Sequence, residues 1–72
     1  MMTVERSVGS RVRAERRRRN LTQVELAAKA GISEDTMNKL EGDRTQPHPR
    51  TIRKVAAALG AEEEYLTGGV ER

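Results

Sequence analysis

The side chains able to do chemistry are concentrated between Arg16 and Arg50. Four consecutive arginines (Arg16 to Arg19) are followed by a hydroxyl and an amide at Thr22 and Gln23, a polar run from Ser33 to Lys39, and further arginines at Arg44 and Arg50. These groups suit binding, and the arginines carry the right sign for phosphate. The chain holds no cysteine and one histidine, His48, which leaves no thiolate metal site, no disulfide framework and no multi-histidine cluster. It offers no nucleophile–His–acid set and no glycine-rich phosphate cradle. Glu62, Glu63 and Glu64 read as a charge run capping a last helix rather than as a catalytic carboxylate pair. No enzyme, cofactor or metal is expected.

The charge is unevenly spread. Net charge is +3, but 13 Lys and Arg face 7 Asp and Glu through Lys54, while one Arg faces four Glu from Val55 onward. A basic front with an acidic tail suggests one face for a polyanion and another turned away; the plainer alternative is a solvated charged helix. Tyr65 is the lone aromatic, which argues against stacking platforms for single strands. No apolar run approaches the roughly 20 residues of a membrane span. The first residues lack the apolar segment of a signal peptide, so a soluble cytoplasmic protein is expected. Seventy-two residues make one small domain, marginally stable unless its helices pack tightly or a partner helps.

Sustained alternation of apolar and polar residues is absent, so the fold class is all-α. A first helix is predicted over about Glu5 to Arg19, with Val8 and Val12 on one face and Asn20 as terminator. Thr22 and Glu25 form a capping box that opens a second helix, Gln23 to Ala30. Its apolar positions are Leu26, Ala27 and Ala30, and Ala27 is small enough to let a neighbour approach. Gly31 supplies the positive φ that ends it. Ser33 caps a third helix, Glu34 to Glu41, with acids in its first turn opposing the dipole. Met37 and Leu40 face its core side; Glu34, Asp35, Asn38 and Lys39 point outward. After a polar loop from Gly42 to His48, His48 and Pro49 open a fourth helix that Gly60 closes. A short fifth turn, about Glu62 to Thr67, is expected to bury Tyr65 and Leu66. Residues 1–7 read as an arm or the start of the first helix, 8–67 as the domain, and 68–72 as a mobile tail.

Two short helices joined by a glycine turn are how a small protein lays one helix in the major groove, where each base pair shows a distinct donor and acceptor pattern. The stretches VRAERRRRNLTQVELAAKAGIS, MNKLEGDRTQP, TIRKVAAALG and YL together resemble the phage-repressor and Cro-like helix-turn-helix family, also called the Xre family, over Val8 to Leu66. The resemblance implies a compact five-helix, lambda-repressor-like domain that binds double-stranded DNA, usually as a homodimer on a two-fold related site. It implies DNA phosphate contacts from Arg16, Thr22, Gln23, Arg44, Thr45 and Arg50, and an ion pair between Arg16 and Glu41 that holds the first helix on the third. It places base reading on Glu34, Asp35 and Lys39, with Ser33 and Asn38 beside them.

The acids at Glu34 and Asp35 depart from the Arg, Gln or Ser common at those family positions. They accept from cytosine N4, pair with Lys39 or Arg44, or serve only as helix-start residues; the sequence leaves the three open. Of Arg17, Arg18 and Arg19, one or two at most are expected to face DNA. Dimer contacts are expected around Leu59 to Val70 or near His48. The function expected is sequence-specific transcriptional regulation by a repressor. The alternative is an antitoxin or another small interaction protein, with a toxin as partner.

Overall fold

The computed structural model describes residues 7–68. Five helices follow in order: α1 (Val8–Arg18), α2 (Gln23–Ala30), α3 (Glu34–Glu41), α4 (Pro49–Leu59) and α5 (Glu63–Thr67). Each helix sends at least one fully buried side chain to a single core: Val12 from α1, Leu26 from α2, Met37 and Leu40 from α3, Val55 from α4 and Leu66 from α5. Ala27, Ala30, Ile52, Ala56 and Leu59 complete it. Small side chains on α2 and α4 let those helices pack closely, and α2 also packs on α3.

The helix boundaries follow local hydrogen-bonding logic. Thr22 accepts from the Glu25 amide at 3.0 Å while the Glu25 carboxylate accepts from the Thr22 amide at 2.8 Å. The pair satisfies two donors that a helix start leaves open. Gly31 closes α2 at φ 74°, a conformation costly for residues with a Cβ. His48 Nδ1 accepts from the Arg50 amide at 3.0 Å, with Pro49 at the first helical position.

Four expectations are corrected. The first helix starts at Val8, not near Glu5, because Ser7 is extended and caps it: Ser7 and Ser10 form a second capping box. Tyr65 is not buried. The residue is 39% exposed and its ring centroid lies 5.7 Å from the Arg11 guanidinium carbon, so of the two only Leu66 enters the core. Glu62 occupies the N-cap of α5 but makes no side-chain cap hydrogen bond; Glu63 instead sits 3.6 Å from Arg53. Gly68, placed in the tail by the sequence, ends α5. The expected arm over residues 1–6, the rest of the tail and Val70 lie outside the described residues. No described helix is long and apolar enough to cross a membrane.

Candidate nucleic-acid interface

The site begins with a buried acid. Glu41, at the end of α3, has a side chain only 2% exposed. Its Oε2 accepts from Arg16 Nε at 2.6 Å and its Oε1 from Arg16 Nη2 at 3.0 Å, a bidentate geometry that suits a planar guanidinium. Arg16 Nη1 donates to the Leu21 carbonyl at 2.8 Å. Arg16, 11% exposed, therefore acts first as a strut between α1, α3 and the turn before α2. Gln23 donates from Nε2 to the same Glu41 Oε1 at 3.0 Å, so one carboxylate ties α1 and α2 to α3.

From that anchor a polar chain runs outward. Asn38 donates from Nδ2 to Gln23 Oε1 at 3.3 Å, and Asn38 Oδ1 accepts from Arg44 Nη2. The outer face of α3 carries Glu34, Asp35, Asn38 and Lys39, and Ser33 caps its start, all exposed, while Met37, Leu40 and Glu41 face inward. The structure thus brings four of the expected residues onto one helix face, with Ser33 at its N-cap and Gln23 and Arg44 at its edge. Ser33 is occupied by its cap: it accepts from the Thr36 amide and donates to the Thr36 hydroxyl. Asp35 Oδ2 lies 3.2 Å from Lys39 Nζ one turn later. Glu34 has no side-chain partner among the described residues.

The remaining sites separate. Thr22 is exposed with its hydroxyl engaged in the cap of α2. Thr45 lines a different groove, with Ser7, Val8, Pro47 and Ile52. Arg50 is exposed on the first turn of α4. The arginine run is divided by its partners. Arg19 Nη1 lies 2.6 Å and Arg18 Nη2 3.7 Å from Glu15. Among the described residues Arg17 has no ion pair or side-chain hydrogen bond. Nowhere among those residues do three or more His, Cys, Asp or Glu side chains group to hold a metal.

Residues 7–66 match the helix-turn-helix domain family. The chain belongs to that family. This helix-turn-helix domain is 42% identical over 62 residues to the immunity repressor protein of Bacillus phage phi105, covering 86% of the chain and 43% of the phage protein. It is 46% identical over 59 residues to the uncharacterized HTH-type transcriptional regulator RghRB of Bacillus subtilis strain 168, covering 81% of the chain and 42% of the relative. It is 39% identical over 69 residues to the HTH-type transcriptional repressor RghR of the same strain, covering 90% of the chain and 51% of the relative. The chain thus spans about half the length of these relatives or less. Among solved structures, the helix-turn-helix domain superposes on the P22 c2 repressor in complex with synthetic operator 9T with a TM-score of 0.83 and 26% identity, covering 89% of this chain and 97% of that one. The solution structure of the P22 c2 DNA-binding domain gives 0.81 and 25% identity, covering 89% and 84%. The all-α, repressor-like architecture expected from the residues is the one found.

Sequence reasoning missed four contributors to this frame. Asp43 adopts φ 56° and accepts from Ser7 Oγ at 2.7 Å and the Gly9 amide at 3.0 Å, tying the loop after α3 to the start of α1. Gly9 itself is a close-approach point, since a Cβ there would stand 2.4 Å from the Leu40 carbonyl oxygen. Arg11 is buried and donates to the Tyr65 carbonyl at 3.2 Å. Glu15 is buried beneath Arg18 and Arg19. The available signals were the Ser7–Ser10 spacing and the placement of Arg11 and Glu15, four apart, beside the Val8–Val12 face.

Proposed function

We propose that this chain is a sequence-specific, double-stranded DNA-binding transcriptional regulator, acting as a repressor, that lays α3 in the major groove. The observation that carries the reading is the disposition of α3. Its inner side is clamped to α1 and α2 by Glu41, and its outer side presents a row of exposed polar side chains on a helix that a major groove accommodates. Preorganisation of this kind reduces the ordering needed on binding. Support also comes from the repressor relatives and from the likeness to the P22 c2 repressor, seen with its operator.

Base contacts come from Glu34, Asp35 and Lys39, with Ser33 at their edge. Phosphate contacts come from the N-terminus of α2 at Thr22 and Gln23, from Arg44, Thr45 and Arg50, and from whatever part of Arg16 is free of Glu41. An eight-residue helix reads few base pairs. The chain therefore acts as a homodimer on half-sites about one DNA turn apart, in the compartment that holds the DNA, through binding and without catalysis.

Site selection from random duplex DNA, followed by gel shift, tests the reading. The expected result is a two-fold related site bound with steep salt dependence and resistance to competitor. Failure to retain any duplex against competitor sinks it. Sedimentation with and without the selected duplex tests the dimer, and a strict monomer on a single half-site rejects that part.

A further inference from the structure

Helices α2, α4 and α5 end on glycines in the left-handed region, Gly31, Gly60 and Gly68. Helix α3 reaches the same conformation one residue past Gly42, at Asp43, with φ 56°. There the Asp43 amide donates to the Leu40 carbonyl at 3.1 Å and the Arg44 amide to the Lys39 carbonyl at 3.0 Å, the paired closure that a left-handed residue allows. Glycine would adopt this conformation without the steric cost of a Cβ, so the closure alone gives no reason for an acid at this position. The carboxylate gives one. Its Oδ2 accepts from Ser7 Oγ at 2.7 Å and its Oδ1 from the Gly9 amide at 3.0 Å. Ser7, the N-cap of α1, spends its own cap bond on the Ser10 amide, which leaves the Gly9 amide as one of the open donors of a helix start. Asp43 satisfies that donor from 34 residues away. Gly9 admits the acid, since a Cβ there would stand 2.7 Å from Oδ1.

Resting on the DNA-binding reading, we infer that Asp43 is a positioning residue for recognition: its carboxylate latches the loop after α3 onto the start of α1, and the latch sets the backbone from which Arg44 and Thr45 depart. Arg44 follows it directly and is exposed, and Thr45 lines one groove with Ser7 and Asp43. Arg44 also donates to Asn38, but that bond joins two exposed side chains and opens when the guanidinium takes another partner. The Asp43 latch ends on the backbone of α1 and stays closed meanwhile. Holding the loop before DNA arrives removes part of the ordering cost of binding. The role runs against simple electrostatics, because an acid beside a polyanion weakens association when it does nothing else. That opposition in sign makes the inference testable.

The test uses the full chain, the duplex it selects from random DNA and a random duplex, with affinities read by fluorescence anisotropy. D43G keeps the left-handed backbone, so the fold is expected to hold, and removes the latch. D43N removes the same charge but keeps an amide oxygen for the Gly9 amide, and asparagine tolerates this conformation. D43G is expected to weaken binding to both duplexes about tenfold, the scale of a lost charge-assisted hydrogen bond, although it deletes an anion. D43N is expected to bind both at least as tightly as the wild type. In a double-mutant cycle, R44Q is expected to cost about tenfold in the wild type and in D43N, and about twofold or less in D43G. Loss of stability alone would leave the R44Q cost equal in all three. Hydrogen exchange of the Gly9 amide reads the latch without DNA: slow in the wild type and D43N, fast in D43G. Tighter binding by D43G, or an equal R44Q cost in every background, overturns the positioning role while DNA binding stands. Fast Gly9 exchange in the wild type overturns the latch itself. A wild type that binds no duplex removes the DNA reading and the positioning role with it.

Discussion

Helix α3 carries two ion pairs that look alike in sequence and differ in physics. On its inner side, Glu41 meets Arg16 in a bidentate contact with side chains 2% and 11% exposed; on its outer side, Asp35 meets Lys39 with side chains 75% and 54% exposed. The inner pair joins segments 25 residues apart and carries a third donor, Gln23. The outer pair joins neighbours on one helix and rests in water, where such pairs contribute little and exchange readily. One helix thus has a side that must not move and a side free to trade partners, which is what a reading element requires.

Breaking the inner pair gives the largest expected effect. Glu41→Ala leaves the Arg16 guanidinium buried without its acid and removes the Gln23 acceptor; a loss of about 3–5 kcal/mol of stability is expected, read by urea unfolding. Replacing both partners by apolar residues, R16M/E41L, is expected to be far milder, since such replacements of a buried pair are often neutral or stabilising. Equal loss in the two variants would show that the pair is not acting through an uncompensated charge.

The seam behind that pair is the next place to press. Gly9 lies where α1 and the end of α3 touch, with backbone oxygens of Leu40 and Glu41 and the Asp43 carboxylate around its missing Cβ. Gly9→Ala is expected to cost about 1–3 kcal/mol through overpacking, measured in the same unfolding assay. An unchanged midpoint would mean that the seam yields, and that Glu41 holds α3 without help from α1 backbone contact.

The two sides of α3 also differ in how far the sequence revealed them. The starts of α2, α3 and α4 were legible because Thr22–Glu25, Ser33 and His48–Pro49 are local hydrogen-bonding devices, contained within a few residues. The core was legible because Leu26 with Ala30, Met37 with Leu40, and Ile52, Val55, Ala56 and Leu59 recur at helical spacing within their own helices. Arg16 with Glu41 became visible only through family resemblance, since no local pattern pairs residues 25 apart. Asp43 holding Ser7 and the Gly9 amide, or Asn38 holding Arg44 and Gln23, gave no signal of that kind: each depends on where two distant segments meet. Tyr65 was misplaced because aromatic character was read as burial, whereas a ring over a guanidinium tolerates solvent on its other face.

On the outer side the expected effects move from stability to recognition. Lys39→Ala is expected to leave the unfolding midpoint nearly unchanged and to shift base preference by about 1–3 kcal/mol if Lys39 turns from Asp35 to a base edge. Repeating site selection with the variant reads this directly. An unchanged selected site would place recognition on Glu34 and Asp35 alone.

Asp35→Ala is the smallest change in stability and the most informative about the comparison. Removing a solvated i,i+4 partner costs about 0.5 kcal/mol or less, and loss of an acid from the first turn of α3 adds a similar amount through the helix dipole. Its effect on DNA binding separates the open roles of the acid. If Asp35 only parks Lys39, the variant frees a cation and removes an anion facing phosphate, so affinity rises on selected and random duplexes alike. If Asp35 accepts from cytosine N4, affinity falls on the selected duplex alone, and the preference at one base pair relaxes. Anisotropy on the two duplexes at one salt concentration distinguishes them. A rise on both would make the outer pair a latch that DNA opens; a selective fall would make Asp35 a reader, and Lys39 the group that holds it in place until the base arrives.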